Sequence, residues 1–272
     1  MVAGVPARAS AQQRPLVTED PETVGEGQIL IEAGFDYQRD AEFPVAGLTG
    51  NLLRVALVGA SIGVSSIAEI QIDGGLFNRL SITNRAPAPL SSSLDVFGGH
   101  TTSSVEDLVV GAKIRLVPEG ASRPGLGVRF ATKLPFASDE SGLGLDTTDF
   151  HASLLAAKTV ESVRIVLNLG VGILADPTRG DRQNNVLTYG LSFARAATSS
   201  TEVVGELNGR AHVGGDIPPP GTDSRSMFRI GARHTRCTVR ADAALLFGIT
   251  RRDPTIGVAA GVTYVFNAFQ VP

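Results

Sequence analysis

The feature that most constrains this chain is a long alternation of apolar and polar residues, which runs for ten or more positions in many of its segments. In 105–117, one side of the pattern is apolar and the other carries Asp107, Gly111, Lys113 and Arg115. A period of two marks a β-strand whose two faces meet different surroundings. Strands of soluble β-sandwiches also alternate, but they usually end after roughly five or six residues. The length of the pattern therefore favours strands that cross a thicker layer.

Segments with this pattern recur along the whole chain and number about twelve. They lie at 27–38, 51–62, 66–79, 105–117, 124–136, 148–159, 163–175, 185–196, 200–213, 225–235, 236–250 and 254–266. Short links near 62–66, 118–123, 160–162, 197–200 and 235–236 alternate with longer links near 39–50, 80–104, 137–147, 176–184 and 214–224; the link near 251–254 is short where a long one is expected. Outer-membrane barrels have short turns at one end and long loops at the other. We therefore predict an all-β fold, a closed antiparallel transmembrane β-barrel of about twelve strands.

Charge placement separates a membrane barrel from a β-sandwich. An Arg or Lys on a lipid-facing surface costs about 2–4 kcal/mol at the middle of the membrane, whereas the lumen of a barrel is polar. Charged residues of this chain fall mainly on the polar faces of the alternating segments. The exceptions lie at segment ends and are Glu106, Lys158 and His234. In 51–62 the same pattern assigns Leu57 and Gly59 to the lipid face and Val58 to the lumen.

The polar faces supply the candidate functional residues, which we expect to line the lumen. These charged or titratable residues are Arg54, Asp107, Lys113, Arg115, Arg129, Lys133, Asp149, His151, Glu202, Glu206, Arg210, Arg225, Arg229, Arg233, Arg240 and Asp242. Counting from the expected turns places Arg229 opposite Asp242 and Arg233 near Glu206. Such a set has two interpretations: a basic constriction that selects anions, or an ion-pair ladder that fills a narrow barrel. The acidic residues nearby favour the ladder.

Several function classes are excluded by what the sequence lacks. No stretch of 18 apolar residues occurs, so a transmembrane helix is excluded. The formal net charge is −3 and no segment concentrates a basic stripe, so nucleic acid is not an expected partner. Cys237 is the single cysteine, which excludes an intrachain disulfide and a cysteine-based metal cluster. We expect no catalytic residue, no metal and no cofactor. The lack of Trp weighs against the barrel, because it leaves the aromatic girdles thin.

The two ends of the chain lie outside the alternating region. Ala9-Ser10-Ala11 has the small-x-small form of a signal-peptidase site, which predicts that 1–11 is the remnant of a signal peptide. We expect 12–26 to be an N-terminal segment in the periplasm; the alternative is that it folds inward as a plug. The barrel is predicted to span 27–266, with a C-terminal extension at 267–272.

Several stretches resemble a group of bacterial outer-membrane transporters named for a phenol-degradation pathway. The similar stretches are 107–116 (DLVVGAKIRL), 147–150 (TTDF), 158–159 (KT), 14–20 (RPLVTED) and 262–266 (VTYVF). The resemblance implies an outer-membrane barrel that passes small molecules, and it carries no catalytic residue. The partners it implies are outer-membrane lipids, lipopolysaccharide, the barrel-assembly machinery and a small-molecule solute. Such barrels often end on an aromatic residue, whereas six residues follow Phe266 here.

Three functions remain open from the sequence. The first is passive passage of small molecules through the outer membrane, and the second is a plugged barrel with a structural or adhesive role. The third is a membrane-embedded hydrolase of the phospholipase type, for which His151, Ser153 and Asn168 share one face on neighbouring strands. Against the hydrolase, apolar residues such as Phe150 and Leu154 hold the lipid side of that strand.

Overall fold

The computed structural model describes residues 14–96 and 98–270, and this part of the chain forms thirteen β-strands without a helix. The strands are β1 Gln28–Phe43, β2 Leu48–Gly63, β3 Ala68–Arg85, β4 Thr101–Ser104, β5 Leu108–Val117, β6 Gly125–Leu134, β7 Asp149–Val160, β8 Val163–Ala175, β9 Gln183–Ala196, β10 Thr201–His212, β11 Arg225–Arg236, β12 Val239–Gly248 and β13 Ile256–Asn267. The expected signal-peptide remnant at 1–11 lies outside the described residues. The all-β prediction is confirmed.

The sheet closes on itself into a twelve-stranded antiparallel barrel. Apart from β4, each strand pairs with the next along the chain, so that β3 pairs with β5. The sheet closes where β1 pairs with β13, from Gln28↔Asn267 to Arg39↔Ile256. The short strand β4 is an addition that pairs with the upper part of β3. Closure satisfies the backbone groups that an open sheet would leave unpaired in a membrane. The predicted closed barrel of about twelve strands is therefore confirmed.

The two faces of the barrel wall differ as the alternation predicts. On β8, Ile165, Leu167, Leu169 and Val171 are exposed on the outside, while Val166 between them is buried. The other strands repeat this arrangement, so the outer surface carries a band of exposed Leu, Ile, Val and Phe side chains. An apolar outer band around a polar interior is the signature of a barrel that lies in lipid. No helix of the described chain is long and apolar enough to cross a membrane.

A β-bulge in β2 overturns part of the predicted side assignment. Ala56 adopts a φ of 55°, and the pairing with β1 skips it, running from Phe35↔Val55 to Gly34↔Leu57. The extra residue changes the side on which every following residue lies. As a result, Leu57 and Gly59 lie on the inner side and Val58 is exposed, opposite to the prediction from period two.

The link between β1 and β2 is shorter than expected. Both strands continue beyond the predicted segments, so that only 44–47 connects them instead of 39–50. The long connections at the same end are 86–107, 135–148 and 213–224, and we call this the loop end. An apolar cluster lies here, formed by Ala41, Ala46, Leu48, Leu52, Leu80 and Leu94. We call the opposite end of the barrel the terminal end. The strand β1 begins there, β13 ends there, and the short turns connect neighbouring strands there.

Residues 14–26 lie inside the barrel, not beside it. Leu16, Thr18, Glu19 and Val24 are each less than a tenth exposed, and they contact strands on opposite sides of the wall. The described part of the predicted 12–26 segment thus lies in the lumen, the position that the inward-folding alternative gives it. We call 14–26 the inner segment.

Candidate functional site

The lumen holds the candidate functional site, and the inner segment is its central element. It follows a winding path without regular secondary structure, so its backbone N–H groups need partners from the wall. Glu206 of β10 supplies one such partner. Its carboxylate accepts hydrogen bonds from the backbone N of Val17 (2.9 Å), the backbone N of Thr18 (2.7 Å) and the Thr18 hydroxyl (2.6 Å). The wall thus provides a charged acceptor for two successive peptide groups.

Glu19 is the most connected residue of the inner segment. Its carboxylate lies 3.3 Å from Lys113 Nζ and 3.0 Å from Arg129 Nε, and it accepts a hydrogen bond from Gln71 Nε2. Its backbone N donates to Asn168 Oδ1 at 2.7 Å, and Asn168 Nδ2 donates back to its carbonyl oxygen at 2.7 Å. Burial by itself raises the pKa of the Glu19 carboxyl, but the cations of Lys113 and Arg129 outweigh it and hold that pKa below its ordinary value.

Acidic residues along the rest of the inner segment pair with basic residues of the wall. Glu22 forms an ion pair with Arg115 at 2.5 Å, and Asp20 pairs with Arg164. At Val24 the carboxylate belongs to the wall instead of the segment, because the backbone N of Val24 donates to Glu69 of β3 at 2.6 Å. The charges of segment and wall are therefore complementary along its length, and an acidic segment lies against basic inner positions.

Glycines in the wall provide room for the inner segment. The three atoms nearest to a Cβ at Gly190 would all belong to the side chain of Thr18, with the hydroxyl oxygen at 2.8 Å. A Cβ at Gly127 would lie 3.2 Å from Pro21, and one at Gly34 would lie 2.2 Å from the guanidinium of Arg14. The absence of a side chain at these inner positions allows the segment to approach the wall backbone closely.

Ion pairs join β10, β11 and β12 in a register that differs from the predicted one. Arg229 faces Glu206 and Arg233 faces Glu202, with 2.7 Å between Arg233 Nε and Glu202 Oε2. Asp242 faces Arg233 and not Arg229. The predicted pairs Arg229–Asp242 and Arg233–Glu206 are therefore wrong.

The physical reason is the position of the two connections. The turn between β11 and β12 consists of 237–238, two residues later than the predicted 235–236, and Cys237 in it has a φ of 55°. The loop between β10 and β11 is 213–224, but the pairing beside it begins only at Arg210↔Arg225, so the partner of each β10 residue lies four residues from the predicted one. A ladder of alternating charge results, but between other partners.

Four more of the predicted residues, Arg54, Asp107, Lys133 and Asp149, form ion pairs in two further clusters. Arg54 contacts Asp36 at 2.5 Å and Glu106 at 2.8 Å, and Lys133 lies 2.8 Å from Asp107 and 3.3 Å from Asp149. Arg240 is buried near Glu202, and Asp242 is 3.7 Å from Arg14 of the inner segment. The predicted residues do not form one site, because these clusters lie on different parts of the wall.

Three of the inner residues that the predicted set leaves out are acidic. Glu69 is buried and lies 3.0 Å from Lys113, Glu32 accepts from Thr263 at 3.1 Å, and Asp36 pairs with Arg54. The alternation already places all three on polar faces, so the signal is present in the sequence. The contacts of the inner segment cannot be predicted from periodicity, because the sequence of 14–26 neither alternates nor repeats.

Two cavities lie between the inner segment and the loop end. The first has a volume of about 430 Å³ and is bounded by Thr18, Glu19 and inner residues of β6 to β11, with contributions from β1 and β2. The second has a volume of about 570 Å³ and is bounded by Arg14 to Val17 and inner residues of β1 to β3, with contributions from β5, β6, β11 and β13. Both reach Val17, Arg54 and Arg229, which separate them. We call them the first and second cavity.

The residues proposed for a hydrolase line the first cavity but do not form a catalytic set. His151, Ser153 and Asn168 all border it. Asn168 is bound through both side-chain atoms to the backbone of Glu19, so it is not oriented toward His151. Within the described residues, no group of three or more His, Cys, Asp or Glu side chains has the arrangement of a metal site.

Comparison with solved structures identifies the fold. The COG4313 outer membrane channel from Pseudomonas putida F1 aligns with a TM-score of 0.64 at 16% identity, over 91% of this chain and 98% of that one. The KdgM porin in complex with disordered oligogalacturonate aligns with a TM-score of 0.52 at 10% identity, over 87% of this chain and 99% of that one. The translocator domain of autotransporter NalP from Neisseria meningitidis gives 0.53 at 12% identity, over 88% of each chain.

No family model and no curated protein matches the sequence. At these low identities the structural similarity concerns the fold. It agrees with the closed sheet and the apolar outer band, and it confirms the barrel that the resemblance to outer-membrane transporters implies. The chain has the fold of outer-membrane channel and porin barrels.

Proposed function

We propose that the protein is an outer-membrane channel for passive passage of small molecules, and that the inner segment closes it in the state described here. The observation that carries the proposal is the way in which the inner segment is attached to the barrel wall. The inner segment precedes the first strand and is held in the lumen by side-chain hydrogen bonds and ion pairs, not by β-pairing with the wall. Its removal would leave the barrel ladder intact.

The interior between segment and loops supports the same proposal. Two cavities of about 430 and 570 Å³ lie inside the barrel and are lined mainly by polar and charged groups. A barrel whose only task was mechanical could fill this space with packed side chains. Small polar solutes fit such cavities, and outer-membrane lipids, lipopolysaccharide and the assembly machinery would meet the outer surface.

A liposome-swelling assay tests the proposal. The full-length protein is reconstituted and swelling is followed in uncharged sugars of increasing size. We expect swelling for the smallest sugars, with a sharp size limit, and a rise in rate when the attachment of the inner segment is weakened by Glu206→Gln. Absence of swelling in both proteins would contradict a channel and would leave the plugged structural barrel.

The hydrolase alternative has no supporting observation in the lumen geometry. The NalP, KdgM and COG4313 neighbours are described as a translocator, a porin and a channel. Equal and null lipid hydrolysis by the wild type and by Ser153→Ala is therefore the expected result.

A further inference from the structure

The ladder between β10 and β11 contains one rung that breaks its charge pattern. Inner positions four residues apart pair Glu202 with Arg233 and Glu206 with Arg229, each an acid facing a base. The next position in the same register pairs Arg210 with Arg225. Like charges directly opposite each other on paired strands are destabilising. The third rung is therefore an electrostatic cost in a barrel that otherwise pairs its charges.

The two arginines of this rung are held by backbone carbonyls. Arg210 donates to the carbonyl oxygens of Asp223 (2.9 Å) and Gly221 (2.7 Å), and Arg225 donates to that of Glu42 (3.0 Å). Among the described residues, neither guanidinium forms an ion pair with a carboxylate, unlike Arg229 and Arg233. A guanidinium has five N–H donors, so donors of both side chains remain available.

Both arginines border the first cavity, and its described lining holds five arginines against two carboxylates, those of Glu19 and Asp253. Carboxylates behind the lining pair with Arg54 and Arg229, so the positive charge without an ion pair among the described residues lies at Arg210 and Arg225. Asp253 Oδ2 is already occupied by the backbone N of Ser226 and by the backbone N and hydroxyl of Thr250. The second cavity differs, because acidic residues outnumber basic ones along its lining.

One buried polar atom beside the rung lacks a hydrogen-bond partner among the described residues. Asn208 lies two residues before Arg210 on the same inner face, and its Oδ1 accepts no hydrogen bond from them. Buried polar atoms are nearly always satisfied, so such an atom signals a missing partner. The acceptor Asn208 Oδ1 requires a donor from the ligand. Nearby, Leu155 and Met227 add an apolar wall.

We propose that the Arg210–Arg225 rung is a binding site for a small carboxylate that also carries a hydroxyl group. The carboxylate lies against the two guanidiniums, which recognise it through parallel N–H donors. The hydroxyl donates to Asn208 Oδ1. The inference deepens the proposed channel function, since it names the class of solute that the first cavity retains.

Binding of lactate to the full-length protein in detergent tests the inference, with lactamide as an uncharged analogue and chloride at equal ionic strength. Calorimetric titration is expected to show lactate binding at least tenfold tighter than lactamide or chloride. In Arg225→Glu the third rung becomes an ion pair like the other two, so the barrel stays folded while lactate affinity falls at least tenfold. Arg236→Glu, an exposed position on the same strand, is the matched control and retains affinity.

Equal affinity for lactate and lactamide, or unchanged lactate affinity in Arg225→Glu, would overturn the inference. Equal affinity for chloride would overturn the assignment to a carboxylate. Sugar swelling reports the channel independently of this rung. Swelling without lactate binding therefore removes the carboxylate site and leaves the channel, whereas lactate binding without swelling removes the channel.

Discussion

Glu206 on β10 binds Thr18 of the inner segment twice, through the backbone N at 2.7 Å and through the hydroxyl at 2.6 Å. The carboxylate is almost completely buried, so both hydrogen bonds form away from bulk water. Hydrogen bonds to a charged group contribute roughly 1.5–3 kcal/mol each. This contact therefore holds a substantial part of the free energy that keeps the inner segment in the lumen.

Thr18→Val removes the hydroxyl hydrogen bond while it preserves side-chain shape and the pairing of Glu206 with Arg229. The loss of about 1.5–3 kcal/mol corresponds to a roughly tenfold to hundredfold rise in the fraction of open barrels. Single-channel recording in planar bilayers measures that fraction directly. Thr83→Val, at an exposed position of β3, is the control and leaves it unchanged. Identical open fractions in Thr18→Val and wild type would show that the segment is not the gate.

Gly190→Val disturbs the packing of Thr18 against the wall by a change in the wall itself. The three nearest atoms to an added Cβ all belong to Thr18, so the new side chain meets the inner segment first. Overpacking costs about 1–3 kcal/mol, and here the cost falls on the closed state. We expect faster sugar swelling with unchanged thermal stability of the barrel. The control is Gly180→Val, whose added Cβ meets no atom within 4 Å; a swelling rate equal to that of the control would contradict the close fit.

Much of the barrel follows from the sequence because each strand separates lipid from lumen. In β8, every second residue from Ile165 to Ile173 meets the outside, and period two by itself assigns their side correctly. The assignment of Lys113 to the inside follows equally, since a charge on the outer band would cost several kcal/mol. Strand number and closure therefore need only the pattern.

Register and the inner segment could not be predicted, for different reasons. The β11–β12 turn contains Cys237 at a φ of 55°, and Cys lacks the turn preference of Gly, Asn or Asp. Ala56 forms a bulge at a φ of 55° without a glycine to mark it. Residues 14–26 are positioned by charge complementarity with distant strands, as Glu19 is with Lys113, and such contacts leave no local period in the sequence.

Leu154→Arg tests whether lipid covers the outer band. Leu154 is 64% exposed and pairs with Leu169 in the middle of β8. If hydrocarbon meets this surface, an Arg near mid-depth costs about 2–4 kcal/mol of unfolding free energy. Urea unfolding in lipid vesicles measures the cost, with Leu154→Ala as the control that keeps an apolar surface. A cost near zero for the Arg variant would mean that water covers this face.

Acidification is expected to release the inner segment, because it protonates the carboxylate of Glu19. Burial raises the pKa of this carboxyl, but Lys113 and Arg129 lower it further, so the net pKa in the closed state lies below the ordinary value of 4.5. A lowered pKa means that the contribution of Glu19 to closure is complete above pH 4.5 and is lost as the pH falls through the lowered value. We expect the open fraction in planar bilayers to rise on acidification below that point.

In Glu19→Gln, the barrel should be more open at neutral pH, because Lys113 and Arg129 lose a buried partner. Its open fraction should also respond less to acid than that of the wild type. A Glu19→Gln profile that rises with acid as steeply as the wild-type profile would show that Glu19 is not the titrating group.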